Sequence, residues 1–210
     1  MKLVDMKVTE YLACVASDAP APGGGSAAAL CGAQGCALAA MAAKLTLGKK
    51  KYPDDQELCA RVAVDAEALA KLLEAQVDCD TEAYNGIAAA YRLPRDDEAQ
   101  LAARKAAVAA ATLAATNVPL RTLRLALEGL THVSSLVGHS NANCASDLGV
   151  AALNLVACAR GAWLNVLINL PGVAAEDRPE QCRAEGEALL SQCEALGEGA
   201  YRALLAPIGG

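Results

Sequence analysis

Apolar positions along this chain recur at helical rather than strand spacing, and proline, glycine and acidic clusters cut the pattern into segments. An amphipathic stretch runs from about Val4 to Val15 and ends near Ser17-Asp18. Ala19-Pro-Ala-Pro-Gly-Gly-Gly-Ser26 follows, where proline excludes helix and glycine permits backbone angles that other residues do not reach. A helix is expected directly after this turn, to about Leu47, before Gly48-Lys-Lys-Lys-Tyr-Pro53 breaks the pattern. Asp54-Asp55-Gln-Glu57 reads as the acidic first turn of the next helix. No proline intervenes before Leu93-Pro94, so that helix is expected to reach about 39 residues, or about 60 Å. Asp96-Asp97-Glu98 opens another segment, which Pro119 should kink or divide between Ala99 and Leu130. A further helix runs from about Asn143–Asp147 to Leu170 and ends at Pro171-Gly172; Asp177-Arg-Pro-Glu180 opens the last, to about Leu205.

Composition sharpens this into an all-α fold, a bundle of long antiparallel helices with an Ala-rich core. Hydrophobic residues make up 54% of the chain, yet aromatics are 3% and Phe is absent, so much of the apolar content is Ala. Alanine favours helix and lets helices approach closely, while the β-branched and aromatic runs of strands are nearly missing. The 210 residues carry no internal repeat and no low-complexity linker, which reads as a single domain, 1–210.

A net charge of −6 argues against a nucleic-acid groove. The nine cysteines form no CxxC pair, and Cys14, Cys31, Cys36, Cys79 and Cys158 sit inside helical apolar patterns, as reduced buried thiols of a cytoplasmic protein do. His132 and His139 lack partners at ligand spacing, so no metal site is expected. Charge at Met1–Asp5 does not suit a signal peptide, and no membrane association is expected. Ala27 to Ala43, the one stretch resembling a membrane span, is interrupted by Gln34, followed by Lys44, and reads as a core helix.

Three features carry candidate chemistry. Gly23-Gly24-Gly25-Ser26-Ala-Ala28 formally fits a dinucleotide fingerprint, but no strand precedes it and the match is rejected. It remains either an anion site at a helix N-terminus or a plain tight turn with Ser26 or a glycine at the N-cap. Lys49, Lys50 and Lys51 either gather a polyanionic ligand or form a solvated helix end. In the apolar stretch 146–170, Asp147, Asn154 and Asn165 fall within about 20° of one face and Asn169 about 40° away. These groups pair across a helix seam or line a cavity, but Asp147 and Asn165 lie about 27 Å apart along the axis, too far for one compact site in one chain. Farther up the chain, Asp80, Tyr84, Ile87 and Tyr91 share a face, expected to point inward, whereas Asp78 lies about 160° away and is expected to be solvated. A carboxylate on the apolar face suits proton transfer, because desolvation raises its pKa.

Pro22-Gly-Gly-Gly-Ser26, Leu45-Thr-Leu-Gly-Lys-Lys-Lys-Tyr52, Asp80-Thr-Glu-Ala-Tyr84, Leu93-Pro94, Val118-Pro-Leu120, Asn141…Ser146-Asp147 and Asn165-Val-Leu-Ile-Asn-Leu170 form, in that order, a set that resembles the cyclodeaminase/cyclohydrolase family. The family comprises the cyclodeaminase domain of formiminotransferase-cyclodeaminase and stand-alone relatives such as methenyltetrahydrofolate cyclohydrolase. The resemblance implies a helical homodimer or larger assembly, no metal or redox cofactor, and a tetrahydrofolate substrate, polyglutamylated or not. It implies a substrate site drawing on Gly23, Gly24, Gly25, Ser26, Thr46, Lys49, Lys50, Tyr52, Asn141 and Asn165, with Asp147 or Asp80 transferring protons.

Two reactions fit that resemblance: hydrolysis of 5,10-methenyltetrahydrofolate to 10-formyltetrahydrofolate, and cyclodeamination of formimidoyltetrahydrofolate with release of ammonia. No formiminotransferase part is found in these residues, so this chain is not expected to make the formimidoyl substrate, which tilts the expectation toward the cyclohydrolase. A rival of another class, a non-catalytic helical dimerisation bundle, accounts for the Ala-rich core but not for the glycine turn, lysines and Asn/Asp loop together.

Overall fold

The computed structural model describes residues 2–173 and 177–208. A single 3-10 turn, Leu3–Asp5, precedes six α-helices: α1 (Val8–Val15), α2 (Gly24–Lys44), α3 (Gln56–Tyr91), α4 (Glu98–Leu136), α5 (Ala145–Asn169) and α6 (Arg178–Ile208). No strand occurs among the described residues. The breakers act close to where they stand in the sequence, with differences at the ends. The first segment splits into a 3-10 turn and a short helix, and α2 starts at Gly24, inside the glycine triplet, and stops at Lys44. Gly86 leaves α3 unbroken over 36 residues.

The largest departure is in α4, where Pro119 does not divide the helix: it runs 39 residues without interruption. Proline has no N–H for the carbonyl four residues back, here Ala115. The Asn169 side chain, at the end of α5, donates to that carbonyl at 3.0 Å. A neighbouring helix therefore supplies the missing donor, and the helix continues past the proline.

Helix α2 is the centre of the bundle, packed against α3, α4 and α5. Small residues let α5 approach it in antiparallel register. A Cβ on Gly32 would stand 2.6 Å from Cys158 Sγ, one on Gly35 2.7 Å from Leu155 Cγ, and one on Gly161 2.8 Å from Ala28 Cβ. Leu73, Leu120, Leu123, Leu130, Leu148 and Leu155 fill the spaces that alanines leave, all at or below 1% exposure. The nine cysteines are free, but Cys14, Cys31 and Cys79 are only half-buried.

By length and composition, α5 with its flanking turns joins α2 as a stretch that could cross a membrane, so Ala27–Ala43 is not alone. In α2 61% of the apolar window is buried, as befits a core helix, against 39% for the α5 stretch, which leaves one apolar face open.

Candidate functional site

At the N-terminal end of α2 the chain leaves Pro20 and Pro22, reaches Gly23 as the N-cap, and enters the helix at Gly24. Three residues into the helix the Ser26 N–H has no helical partner, and it donates instead to Asp80 Oδ2 of α3 at 2.9 Å. The Ser26 hydroxyl lies 3.1 Å from the same oxygen and 2.7 Å from the Val77 carbonyl, so its single proton is shared between two acceptors. Of the two readings of this helix start, an anion site or a plain tight turn, the structure has the protein's own carboxylate in the anion's place.

The glycines serve close approach rather than unusual backbone angles. Gly23 is extended, and among the described residues the positive-φ glycines are Gly48 and Gly138. A Cβ on Gly25 would stand 2.1 Å from Asp80 Oδ1, so only glycine admits the carboxylate. Burial raises the Asp80 pKa, while the two hydrogen bonds from Ser26 pull the other way.

A cavity of about 300 Å³ opens in front of this carboxylate, lined by Gly23, Gly24, Asp80, Tyr84, Asn165 and Asn169. Asn165 donates to the carbonyl of Gly161, four residues back in its own helix, at 2.8 Å, and its amide lies 3.7 Å from where a Gly24 Cβ would be. The face carrying Tyr84 and Tyr91 is not inward as expected. Tyr84 is 42% exposed at the cavity, and Tyr91 is 56% exposed with the Arg104 guanidinium over its ring at 5.7 Å. Asp78 is not a free solvated carboxylate either: it accepts the Leu3 N–H at 2.6 Å and anchors the N-terminal turn.

The remaining candidates lie at the opposite end of α2, whose 21 residues span about 31 Å. Thr46 is fully buried and its hydroxyl accepts the Asn141 N–H at 2.8 Å. Asn141 is itself buried; its side-chain oxygen accepts the Asn143 N–H and its amide reaches the Leu45 carbonyl at 3.5 Å. The Tyr52 hydroxyl accepts the Ala142 N–H at 3.0 Å. These three residues lock the loop after α2 to the loop before α5, a use of their polar atoms that spacing did not reveal. Asp147, half-buried in the first turn of α5, and Lys49, exposed, both lie close enough to act on the Cys144 thiol, which burial pushes up and Asp147 pushes further while Lys49 opposes. Lys50 is exposed beside Lys49.

The chain therefore brings Gly23, Gly24, Gly25, Ser26, Asp80 and Asn165 together and holds Thr46, Lys49, Lys50, Tyr52, Asn141 and Asp147 apart from them. The polar stripe on α5 divides likewise. Asn169 pairs across a seam, Asn165 bonds within its helix, and Asn154 makes no side-chain hydrogen bond among the described residues. Asn169 does both things the sequence allowed the stripe, pairing across a seam and lining the cavity, though it was not among the expected substrate contacts; its signal was an asparagine on the stripe together with a proline-orphaned carbonyl elsewhere.

Known proteins resemble this chain along almost its whole length. It is 38% identical over 194 residues to methenyltetrahydrofolate cyclohydrolase of Methylorubrum extorquens, covering 92% of this chain and 93% of that protein. It is 30% identical over 192 residues to formimidoyltransferase-cyclodeaminase of Rattus norvegicus, covering 91% of this chain but only 36% of the rat protein. The crystal structure of formiminotetrahydrofolate cyclodeaminase from Thermotoga maritima superposes with a TM-score of 0.80 at 28% identity, covering 97% of this chain and 96% of that one. The family model described as formiminotransferase-cyclodeaminase matches residues 7–188, and with that span and those relatives the chain belongs to the formiminotransferase-cyclodeaminase family.

Proposed function

We propose that this chain is a folate one-carbon enzyme that hydrolyses 5,10-methenyltetrahydrofolate to 10-formyltetrahydrofolate. The observation that carries this reading is the end-to-end match to the Methylorubrum cyclohydrolase, 92% of one chain against 93% of the other. The cavity at Asp80 supports it chemically.

Hydrolysis adds water to the cationic methenyl carbon between N5 and N10. The water oxygen bonds to that carbon and one water proton passes to the Asp80 carboxylate; the C–N5 bond then breaks, its electron pair taking that proton from Asp80 to N5, while the remaining hydroxyl releases its proton to solvent as C=O forms and the formyl group stays on N10. Asp80 suits both steps: ionised, it opposes the methenyl cation, and its raised pKa lets it hold a proton and return it. Asn165 and the Gly23–Gly24 backbone would orient the ring system. Asp147 lies about 27 Å along α5 from Asn165 and cannot serve the same reacting carbon within one chain. No oxidation state changes, so the reaction requires no redox cofactor, and in this reading no metal takes part.

A polyglutamate tail on the substrate, a homodimeric enzyme and a cytoplasmic location belong to the same proposal, the first supported by the exposed Lys49 and Lys50. Cyclodeamination, in which N10 attacks the formimidoyl carbon and ammonia leaves, is favoured by one observation, the full-length likeness to the Thermotoga cyclodeaminase.

The near-ultraviolet absorption band of methenyltetrahydrofolate tests these readings. Its faster decay with purified protein supports hydrolysis, and its appearance from formimidoyltetrahydrofolate supports cyclodeamination. A band unchanged in both assays leaves the non-catalytic bundle.

A further inference from the structure

The cavity at Asp80 is the closed end of a trough. Helices α3 and α4 run on past the bundle as an arm of two antiparallel helices, in which Ala90 is the only buried residue between 81 and 111. On α3, Asp80, Tyr84, Ile87 and Tyr91 fall within about 60° of one another. On α4, Ala115, Val108 and Arg104 fall within about 40°. Asp80 and Ala115 both line the cavity. Tyr91 and Arg104 meet farther out, the guanidinium over the ring at 5.7 Å from its centroid. Eleven residues separate Asp80 from Tyr91 and Arg104 from Ala115, so one register joins the helices at the cavity and again about 16 Å up the arm.

Arg104 stands at that outer end with nothing to neutralise it. It makes no ion pair among the described residues. The positions three and four residues away on α4, Gln100, Leu101, Ala107 and Val108, carry no carboxylate. A half-buried guanidinium, oriented by an aromatic face and short of acceptors, suits a planar carboxylate that it can bind through two parallel hydrogen bonds.

We infer that Arg104 binds a carboxylate of the first glutamate of the folate whose one-carbon unit lies at Asp80 of the same chain, with the aminobenzoyl ring on Tyr84 and Ile87. This rests on the folate reading above. The cavity, about 300 Å³, is at the lower limit for a small-molecule pocket and takes the reacting end of a folate, not its aminobenzoyl-glutamate arm. That arm must leave along an open face, and the trough continues the cavity wall formed by Asp80, Tyr84 and Ile87. The lengths agree. Extended, the aminobenzoyl-glutamate is about as long as three residues of extended chain, about 10–11 Å, and the Arg104 stem covers the remainder. Lys49 and Lys50 stand at the far end of α2, whose 21 residues span about 31 Å, too far for this first glutamate within one chain. Arg104 thus selects the substrate by its arm and takes no part in the bond changes at Asp80.

A two-by-two comparison decides it: wild type and Arg104→Met, each on monoglutamyl methenyltetrahydrofolate and on methenyltetrahydropteroate, which lacks the glutamate. On the glutamyl substrate Arg104→Met should raise KM about tenfold and leave kcat within about twofold, the loss of one charge-assisted pair at a part-exposed site. On the pteroate the wild type should already show the raised KM, and the substitution should add less than about twofold. Arg104→Lys keeps the charge without the fork and should fall between; it also carries the test if Arg104→Met does not fold, which its melting curve shows. A KM that stays at the wild-type value, or rises equally on both substrates, overturns the assignment. Wild-type turnover, measured first, separates the two ideas. A wild type inactive on methenyl and formimidoyl substrates alike overturns the folate reading and the Arg104 contact with it. An active enzyme indifferent to Arg104 overturns the contact alone.

Discussion

The Asn169 side chain donates to the carbonyl of Ala115, the acceptor that Pro119 leaves without its helical N–H. One hydrogen bond between α5 and α4 thus keeps a 39-residue helix continuous through a proline and sets Asn169 on the wall of the cavity. Asn169→Ala should cost about 1–2 kcal/mol by leaving a buried carbonyl unpaired. In a Pro119→Ala background the backbone N–H returns, and the same change should cost clearly less. Equal losses in both backgrounds, read by urea unfolding, would show that the contact does not serve the proline.

Asp80→Asn separates chemistry from folding. An asparagine oxygen still accepts the Ser26 N–H, so the variant should fold, but turnover should drop by about 10²–10⁴ without the carboxylate. The stability effect has a definite sign. Burial raises the folded-state pKa of Asp80, so its favourable contribution is complete below the ordinary carboxylate pKa and is lost as pH rises through the raised value. At neutral pH the variant should melt at the same temperature as wild type or higher, and in acid the difference should shrink or reverse. A variant that melts well below wild type at neutral pH would make Asp80 a structural anchor.

The acid limb of the wild-type pH–rate profile should fall above the range of an ordinary aspartate, for the same reason. A limb at or below that range would remove Asp80 as the group that must be ionised for turnover.

Adjacent glycines should respond differently to the same substitution. Gly25→Ala drives a methyl to within 2.1 Å of Asp80 Oδ1, displacing the carboxylate, with a loss of about 1–3 kcal/mol and most of the turnover. Gly24→Ala meets nothing nearer than Asn165 Nδ2 at 3.7 Å and should fold normally. Melting curves and turnover measured on both variants check the contrast; similar behaviour would mean that approach distance is not why glycine stands at 25.

Thr46→Val tests whether a candidate substrate contact is a structural one. It removes the acceptor of the buried Asn141 N–H and should cost about 1–3 kcal/mol, yet leave kcat unchanged in the folded protein. Asp147→Asn should leave kcat close to that of wild type, because Asp147 is remote from the Asp80 cavity of its own chain. A fall in kcat as deep as that of Asp80→Asn would return Asp147 to the reacting centre.

The helices were legible in the sequence because their causes are local. Apolar spacing at 3.6 residues, proline at 53 and 94, and acidic first turns at Glu57 and Glu98 act within one or two turns of where they stand. Alanine content likewise foretold close helix packing. The sites were legible only as a set of residues, since no local signal says which of them meet. Gly25 looked like a residue chosen for its backbone angles, and its reason is a carboxylate 55 positions away. Pro119 looked like a break, and a side chain 50 positions on removes it. Thr46, Tyr52 and Asn141 looked like ligand contacts, and each also bonds the backbone of a second loop. In each case the deciding quantity is a distance of a few ångströms between elements far apart in the chain, and only the tertiary packing sets that distance.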